Sequence, residues 1–280
     1  MNRILKPQHY DDETLKHLQK VQLMMLKDFI EICETNDINY FAIGGTLLGA
    51  IRHEGFIPWD DDIDVLMFRE DFEKLNKHMS KTPNEKYHLI NVLNEETYHF
   101  TWGRFNLKNT KIEDWWTSQV KYTVNIYIDI FIMDKIPDNK IKRFIHRWSC
   151  FTLNQMVQYS LVKFENESKL KQYIQQAAHY LLKALPISPM DIKQKCIKTY
   201  RKYENDECEL YCDFPSVMHM PVYNPNDFLP VKKSKFEDIE VNVPKNYDKI
   251  LTKLYGNYMQ LPPEDKRYNP AHYKIDFGKY

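Results

Sequence analysis

The sequence predicts a mixed α/β fold: an α+β core of strands with flanking helices, followed by a helical subdomain. Three observations carry this. Short apolar, strand-like runs alternate with segments of helical period over residues 12–133. Residues 139–206 contain no strand-like run and are rich in Lys, Gln, Leu and Tyr. No stretch reaches the roughly 18 apolar residues that a membrane-spanning helix needs.

Each element follows from its pattern. Residues 12–36 read as an amphipathic helix, because Leu15, Leu18, Val21, Met25, Leu26, Phe29 and Cys33 recur at helical spacing before Asn36-Asp37. Residues 40–43 form a short apolar strand running into Gly44-Gly45, and 46–52 a short helix. Residues 65–68 read as a strand and 70–79 as a helix ahead of Pro83. Further strands are expected over 87–93, 100–107 and 123–133. The division expected is a catalytic core over 1–138, a helical subdomain over 139–206 and a C-terminal segment over 207–280. The subdomain is interrupted at Pro186-Ile187-Ser188-Pro189. The last segment is punctuated by Pro215, Pro221, Pro225 and Pro230. It carries a hairpin strand over 236–243 and a helix over 247–259, stopped by Pro262-Pro263, and is expected to pack back on the core.

The 280 residues balance 39 basic against 39 acidic side chains. No block of like charge stands out beyond Asp60, Asp61 and Asp62, which argues against a nucleic-acid partner. Residues 1–10 are polar and show no signal peptide, and the five cysteines are odd in number and scattered. Both point to reduced thiols and a cytoplasmic location. Cys208 and Cys212 have a zinc-like gap with His219 nearby, but no second pair follows, so two ordinary thiols are the stronger reading. Glycine is scarce, at seven residues, and three of them stand at 44, 45 and 49.

That concentration marks the chemistry. Gly44-Gly45-Thr46 follows a strand and opens a helix, a context in which backbone N–H groups and the helix dipole hold phosphate. It is neither a P-loop nor a dinucleotide fingerprint. Asp60 to Asp64 follow closely. On a strand Asp62 and Asp64 share a face, opposite Ile63 and Val65, and two such carboxylates grip divalent cations. A calcium loop is excluded, since Val65 stands where it needs glycine. Later, Val124, Ile126, Ile128, Ile130 and Ile132 share a core face, with Tyr127, Asp129 and Phe131 opposite. Asp129 is the lone acid in its strand and needs a partner, either a metal or a core cation. With the glycine turn upstream, Asp62, Asp64 and Asp129 read together as ligands and catalytic residues of a phosphoryl-transfer metal site. Arg52 is placed to reach a diphosphate, and Arg104 fits either a phosphate ligand or a structural arginine. Trp102, Trp115 and Tyr127 are candidates to cage a quaternary ammonium such as choline.

At these residues the sequence resembles the LicD family, which also includes the fukutin-related proteins. The resemblance rests on Gly44-Gly45-Thr46-Leu47-Leu48-Gly49, Arg52-His53 and Ile57-Pro58-Trp59-Asp60-Asp61-Asp62-Ile63-Asp64. It extends to Ile128-Asp129-Ile130-Phe131 and to an ending that includes Phe228-Leu229-Pro230 and Leu254-Tyr255-Gly256-Asn257-Tyr258-Met259. Where relatives carry Lys-Ser after Leu-Pro, this chain reads Val231-Lys232-Lys233-Ser234, which leaves Lys233 without an assigned role. The resemblance implies a nucleotidyltransferase-like fold for the core. It implies Gly44 and Gly45 at phosphate, and Asp62, Asp64 and Asp129 at metal.

The activity implied is transfer of phosphocholine, or a related phospho-alcohol, from a CDP-linked donor such as CDP-choline. The acceptor is a hydroxyl of a cell-surface glycan, such as lipopolysaccharide or teichoic acid, or its lipid-linked precursor, and CMP is released. In this reading Mg²⁺ or Mn²⁺ neutralises the diphosphate, Gly44, Gly45 and Thr46 position it, and Arg52 stabilises the charge that develops. The alternatives are nucleotidyl transfer from a nucleoside triphosphate, and a non-catalytic glycan-biosynthesis binding protein. Phe151, Leu153, Met156 and Leu161 lie among Lys142, Arg143 and Arg147, a pattern compatible with contact at the inner face of a membrane.

Overall fold

The computed structural model describes residues 10–114, 116–164, 168–216, 220–268, 272 and 274–280. Trp115 and His219, named above, lie outside the described residues. Helix α1 (Asp12–Thr35) is capped by Asp11, which accepts from the Thr14 N–H at 2.7 Å. It buries Leu18, Val21, Met25, Leu26, Phe29 and Cys33, the stripe its spacing predicts. Strand β1 (Phe41–Ala42) leads into α2 (Gly44–Arg52), which begins at the glycine pair itself. Then come β2 (Asp64–Phe68), α3 (Arg69–Lys81), β3 (Tyr87–Ile90), β4 (Gly103–Leu107), β5 (Lys111–Glu113) and β6 (Ile126–Ile136).

Strand β6 organises the sheet, whose order is β1-β2-β6-β4-β3. It runs parallel to β2 and antiparallel to β4. Ile126, Ile128, Ile130 and Ile132 are at most 2% exposed, so one face of β6 is wholly core. The strand runs three residues past the end its alternation predicts. The reason is long-range pairing: Met133 to Ile136 bond to β7 (Leu210–Asp213), which in turn pairs with β8 (Val222–Tyr223). Neither β7 nor β8 was expected, being short and interrupted by prolines.

Helices α4 (Lys140–Leu161), α5 (Lys169–Ala184) and α6 (Pro189–Tyr200) form the helical region. They share a second core with the sheet, in which Cys150, Val157, Cys196 and Tyr200 meet Ile136, Cys212 and Phe214. Lys193 is fully buried and donates to the carbonyls of Glu95 and Glu96, tying α6 to the core loop. The chain then returns through a hairpin, β9 (Lys232–Phe236) and β10 (Ile239–Val243), and helix α7 (Tyr247–Tyr255). Strand β11 (Lys274–Asp276) pairs with β5. Lys233, on the hairpin, forms an ion pair with Glu34. Helix α7 stops at Gly256, four residues' reach short of the predicted end, because Gly256 adopts φ +66°. That early stop frees Asn257 and Tyr258 to line the site described next.

The five cysteines form no disulfide. Cys212 is buried and its thiol donates to the Met220 carbonyl, while Cys208 is partly exposed. Among the described residues no group of three cysteine or histidine side chains converges as a metal site would require. No helix among the described residues is long and apolar enough to cross a membrane.

Candidate active site

The site is built where β1 turns into α2. The Ile43 N–H donates to the Asp64 carbonyl, and the Thr46 hydroxyl accepts from the Asp64 N–H at 2.8 Å. These two bonds clamp the start of β2 against the first turn of α2. Thr46, expected at phosphate, is buried and serves here to hold Asp64 in place. Gly44 adopts φ +57°, and a Cβ there would sit 2.8 Å from Asp64 Oδ2; a Cβ on Gly45 would overlap the Asp60 carboxylate. The glycine pair therefore lets two carboxylates approach the helix start. The first turn of α2 has no side-chain cap, and Gly45 lines a cavity of about 480 Å³ together with Arg52, Trp59, Asp60, Asp62, Tyr255 and Tyr258.

Parallel pairing sets the acids side by side. Asp64 and Asp129 are register partners on β2 and β6, and Arg104 on β4 is the partner of Asp129 on its other side. Asp64, Asp129 and Arg104 thus form one row across three strands, pointing to one face of the sheet. The Asp129 N–H donates to the Ile63 carbonyl, which extends the ladder back toward Asp62. The acidic loop is held from α1: Gln19 donates to the Asp60 carbonyl and Gln22 to that of Asp61, both at 2.8 Å. The Tyr10 hydroxyl donates to Asp61 Oδ2. Among the described residues the carboxylate oxygens of Asp60, Asp61 and Asp62 approach within 4.8 Å of one another.

This crowding has an electrostatic consequence. Burial first, then the charges of Asp60, Asp61 and Asp129, push the Asp62 carboxyl well above the ordinary range, with Arg104 opposing. Burial followed by Asp62, Asp129 and Asp60 does the same to Asp64. Desolvated like charges at this spacing suit a divalent cation, whose charge would offset both the burial and the mutual repulsion. The converging oxygens are those of Asp60 to Asp62, so Asp60 and Asp61 join the expected set as candidate ligands.

Asp129 and Arg104 carry a correction. Arg104 is 4% exposed, and its Nε donates to Asp129 Oδ1 at 2.7 Å. Trp102 Nε1 donates to the same oxygen at 2.8 Å. The Arg104 guanidinium lies 3.6 Å from the Tyr127 ring centroid and 4.5 Å from that of Phe100. Burial works against its charge, and the Asp129 carboxylate together with Tyr127, Tyr98 and Tyr122 more than offsets this. Arg104 is a core residue holding Asp129, not a residue of the cavity wall. Of the aromatics expected to cage a quaternary ammonium, Tyr127 already faces the Arg104 cation and Trp102 packs on Phe100 and Phe131. The chain bends over 100–102 instead of continuing as strand, which brings Phe100 over the guanidinium. Arg52 does line the cavity, where its Nη1 donates to the Tyr258 carbonyl at 2.7 Å.

Two features were invisible in the sequence. The wall formed by Tyr255, Asn257, Tyr258 and Gln260 depends on where α7 ends. Asp213, on β7, is 3% exposed and adds to the negative field at Asp64. Its own carboxyl is raised to about 7 by burial, against hydrogen bonds from the Ser216 hydroxyl and N–H. A raised folded pKa means stability present at low pH and lost as pH rises toward and through 7. Asp213→Asn keeps the shape and removes the titration. Between pH 5 and pH 8 the wild type is therefore expected to lose on the order of 2 kcal/mol that the variant retains. Urea unfolding at the two pH values measures this, and an offset independent of pH would contradict it.

Gly45→Ala is expected to push the Asp60 carboxylate aside, with turnover falling at least about tenfold. Alanine favours helix, so the melting temperature should move by only a few degrees. Steady-state kinetics with a thermal melt separates the two effects.

A helix opened by an uncapped glycine pair, facing carboxylates on adjacent parallel strands of a mixed sheet, defines a nucleotidyltransferase-type domain. Residues 37–168 match the family model described as LicD/FKTN/FKRP, nucleotidyltransferase domain. Over 274 residues the chain is 30% identical to the lipopolysaccharide cholinephosphotransferase LicD of Haemophilus influenzae, covering 92% of this chain and 96% of that protein. It is 34% identical over 124 residues to the uncharacterized protein RP689 of Rickettsia prowazekii, covering 44% of this chain and 42% of that one. A shorter stretch of 42 residues is 43% identical to the ribitol 5-phosphate transferase FKRP of Homo sapiens, 15% of this chain and 8% of that protein. The chain belongs to the LicD family.

Proposed function

We propose that this protein is a metal-dependent phosphotransferase that moves phosphocholine, or a related phospho-alcohol, from a CDP-linked donor to a hydroxyl of a cell-surface glycan or its lipid-linked precursor, releasing CMP. The observation that carries the reading is the crowding of the Asp60, Asp61, Asp62 and Asp64 carboxylates, with those of Asp62 and Asp64 pushed up by burial, at the uncapped start of α2 beside an open cavity. The name of the Haemophilus relative, similar over most of the chain, supports phosphocholine as the transferred group and a glycan as the acceptor, and the short match to a ribitol 5-phosphate transferase supports a phospho-alcohol more generally. In this reading the protein works in the cytoplasm, meeting a lipid-linked acceptor at the inner face of a membrane.

The residues fit a divalent ion such as Mg²⁺ or Mn²⁺, which the converging carboxylates of Asp60, Asp61 and Asp62 would hold with Asp64 and Asp129 beside them. When bound, such an ion neutralises a donor diphosphate and stabilises the departing CMP. The protein supplies the rest. The N–H groups of the first α2 turn, at the positive end of the helix dipole, orient phosphate oxygens at the cavity floor. Arg52, on the wall, offsets charge as the bond to CMP breaks. Asp129 Oδ1 is committed to Arg104 and Trp102, so its part is to hold the row in register beside Asp64.

The test is a donor panel of CDP-choline, CDP-ethanolamine, CDP-ribitol and CDP-glycerol, with Mg²⁺ and extracted cell-surface glycan. CMP release matched by the mass gain of one phospho-alcohol on the glycan is expected from one donor. Silence with all four, alongside turnover of a nucleoside triphosphate, would replace this reading with nucleotidyl transfer. Silence with every donor would leave a binding protein.

A further inference from the structure

The geometry points to a docking face for an anionic lipid surface, formed by α4 and α6. This deepens the proposed function, on which it rests for the location of the acceptor. The apolar stripe read from the sequence is not the exposed one: Leu153 and Met156 pack against the second core and Leu161 against the first. The outward stripe is Ile141, Phe144, Ile145 and Trp148, at i, i+3, i+4 and i+7, with 72%, 64%, 59% and 55% of their surface exposed. Large side chains so exposed in a contiguous row mark an interaction face.

Charge identifies what the face meets. Phe144, Ile145 and Trp148 line one groove of about 880 Å³ with Lys195, Lys198 and Lys202, and those lysines make no ion pair with a carboxylate among the described residues. Helices α4 and α5 carry Lys140, Lys142, Arg143, Arg147, Lys169, Lys171 and Lys183 and no acidic residue. The single acid of α6, Asp191, is consumed in the capping box with Ser188. A chain of zero formal net charge thus concentrates positive charge on one helical region. A nucleic acid or acidic protein would use the lysines and leave Phe144 and Trp148 in water. A second copy of this face would set lysine against lysine. A layer of anionic headgroups over hydrocarbon meets both demands, with aromatic side chains at headgroup depth and lysines at the phosphates.

The experiment is co-sedimentation of the full chain with vesicles of phosphatidylglycerol and phosphatidylcholine, against vesicles of phosphatidylcholine alone, at low and high salt. Binding to the anionic vesicles that weakens with salt is expected. Lys195→Glu/Lys198→Glu/Lys202→Glu should weaken it by about fivefold or more for each lysine changed, and Phe144→Gln/Trp148→Gln by about tenfold or more. The corresponding triple arginine variant should retain it. Circular dichroism confirms that each variant is folded. Transfer of the phospho-alcohol to a water-soluble acceptor, read as CMP released, should be unchanged in all of them, which separates failure of this face from failure of the transferase reading. Wild-type protein that ignores anionic vesicles at low salt, or variants that bind as well as it does, would overturn the proposal. So would Phe144→Gln/Trp148→Gln converting a dimer to a monomer in light scattering, which would assign the face to a second copy.

Discussion

Asp64→Asn is expected to lower turnover by about a thousandfold, equivalent to roughly 4 kcal/mol of transition-state stabilisation, while leaving the fold intact. The substitution keeps the side-chain shape and removes the charge. The bonds that position residue 64 are made by its backbone, from its N–H to Thr46 and to its carbonyl from Ile43, so they survive. Stability should move the other way. Burial and neighbouring carboxylates raise the folded pKa of Asp64, so the metal-free wild type loses stability as pH rises above the ordinary carboxylate range. The asparagine does not. In chelator at pH 8 the variant should melt at or above the wild-type temperature, and the gap should close toward pH 4. Added Mg²⁺ should raise the melting temperature of the wild type and leave the variant's unchanged. A variant that unfolds, or one that turns over normally, would contradict the assignment.

The other large effect is expected at Arg104. Arg104→Ala leaves Asp129 buried with one of its two Oδ1 donors gone and empties the space between Tyr127 and Phe100. Breaking a buried pair from one side costs about 3–5 kcal/mol, because the remaining charge is uncompensated. Arg104→Lys should recover only part of this, since an ammonium cannot lie flat on the ring while donating from the Nε position. Urea denaturation measures both. A loss below about 1 kcal/mol for the alanine variant would mean that Asp129 is readily resolvated, and the row Asp64–Asp129–Arg104 would then not be a rigid support.

How far the site was legible depends on what each residue's position is set by. Gly44, Gly45, Asp62 and Asp64 lie within the single run from the end of β1 through α2 to the start of β2, close enough along the chain for their neighbourhood to be read directly. Asp129 could be recognised as anomalous, the lone acid of the isoleucine-rich run 124–133, but its partner could not. The Asp64–Asp129–Arg104 row exists only through inter-strand register, which the pattern along one strand does not contain. The wall at Tyr255 and Tyr258 depends on a single glycine turning α7 aside. On α4, the same helical period describes a stripe packed inward and a stripe left outside. Only the packing of α4 against α6 and the sheet showed that Ile141, Phe144, Ile145 and Trp148 are the exposed set.

The account turns on whether these carboxylates hold a divalent ion together with a donor diphosphate. Calorimetric titration of Mn²⁺ into the protein, with and without CDP-choline and in the absence of acceptor, addresses this most directly. The expected result is one saturable binding event that tightens when the nucleotide is present and disappears in Asp62→Asn and Asp64→Asn. Equal binding by wild type and both variants, or glycan transfer that continues undiminished in chelator, would contradict it.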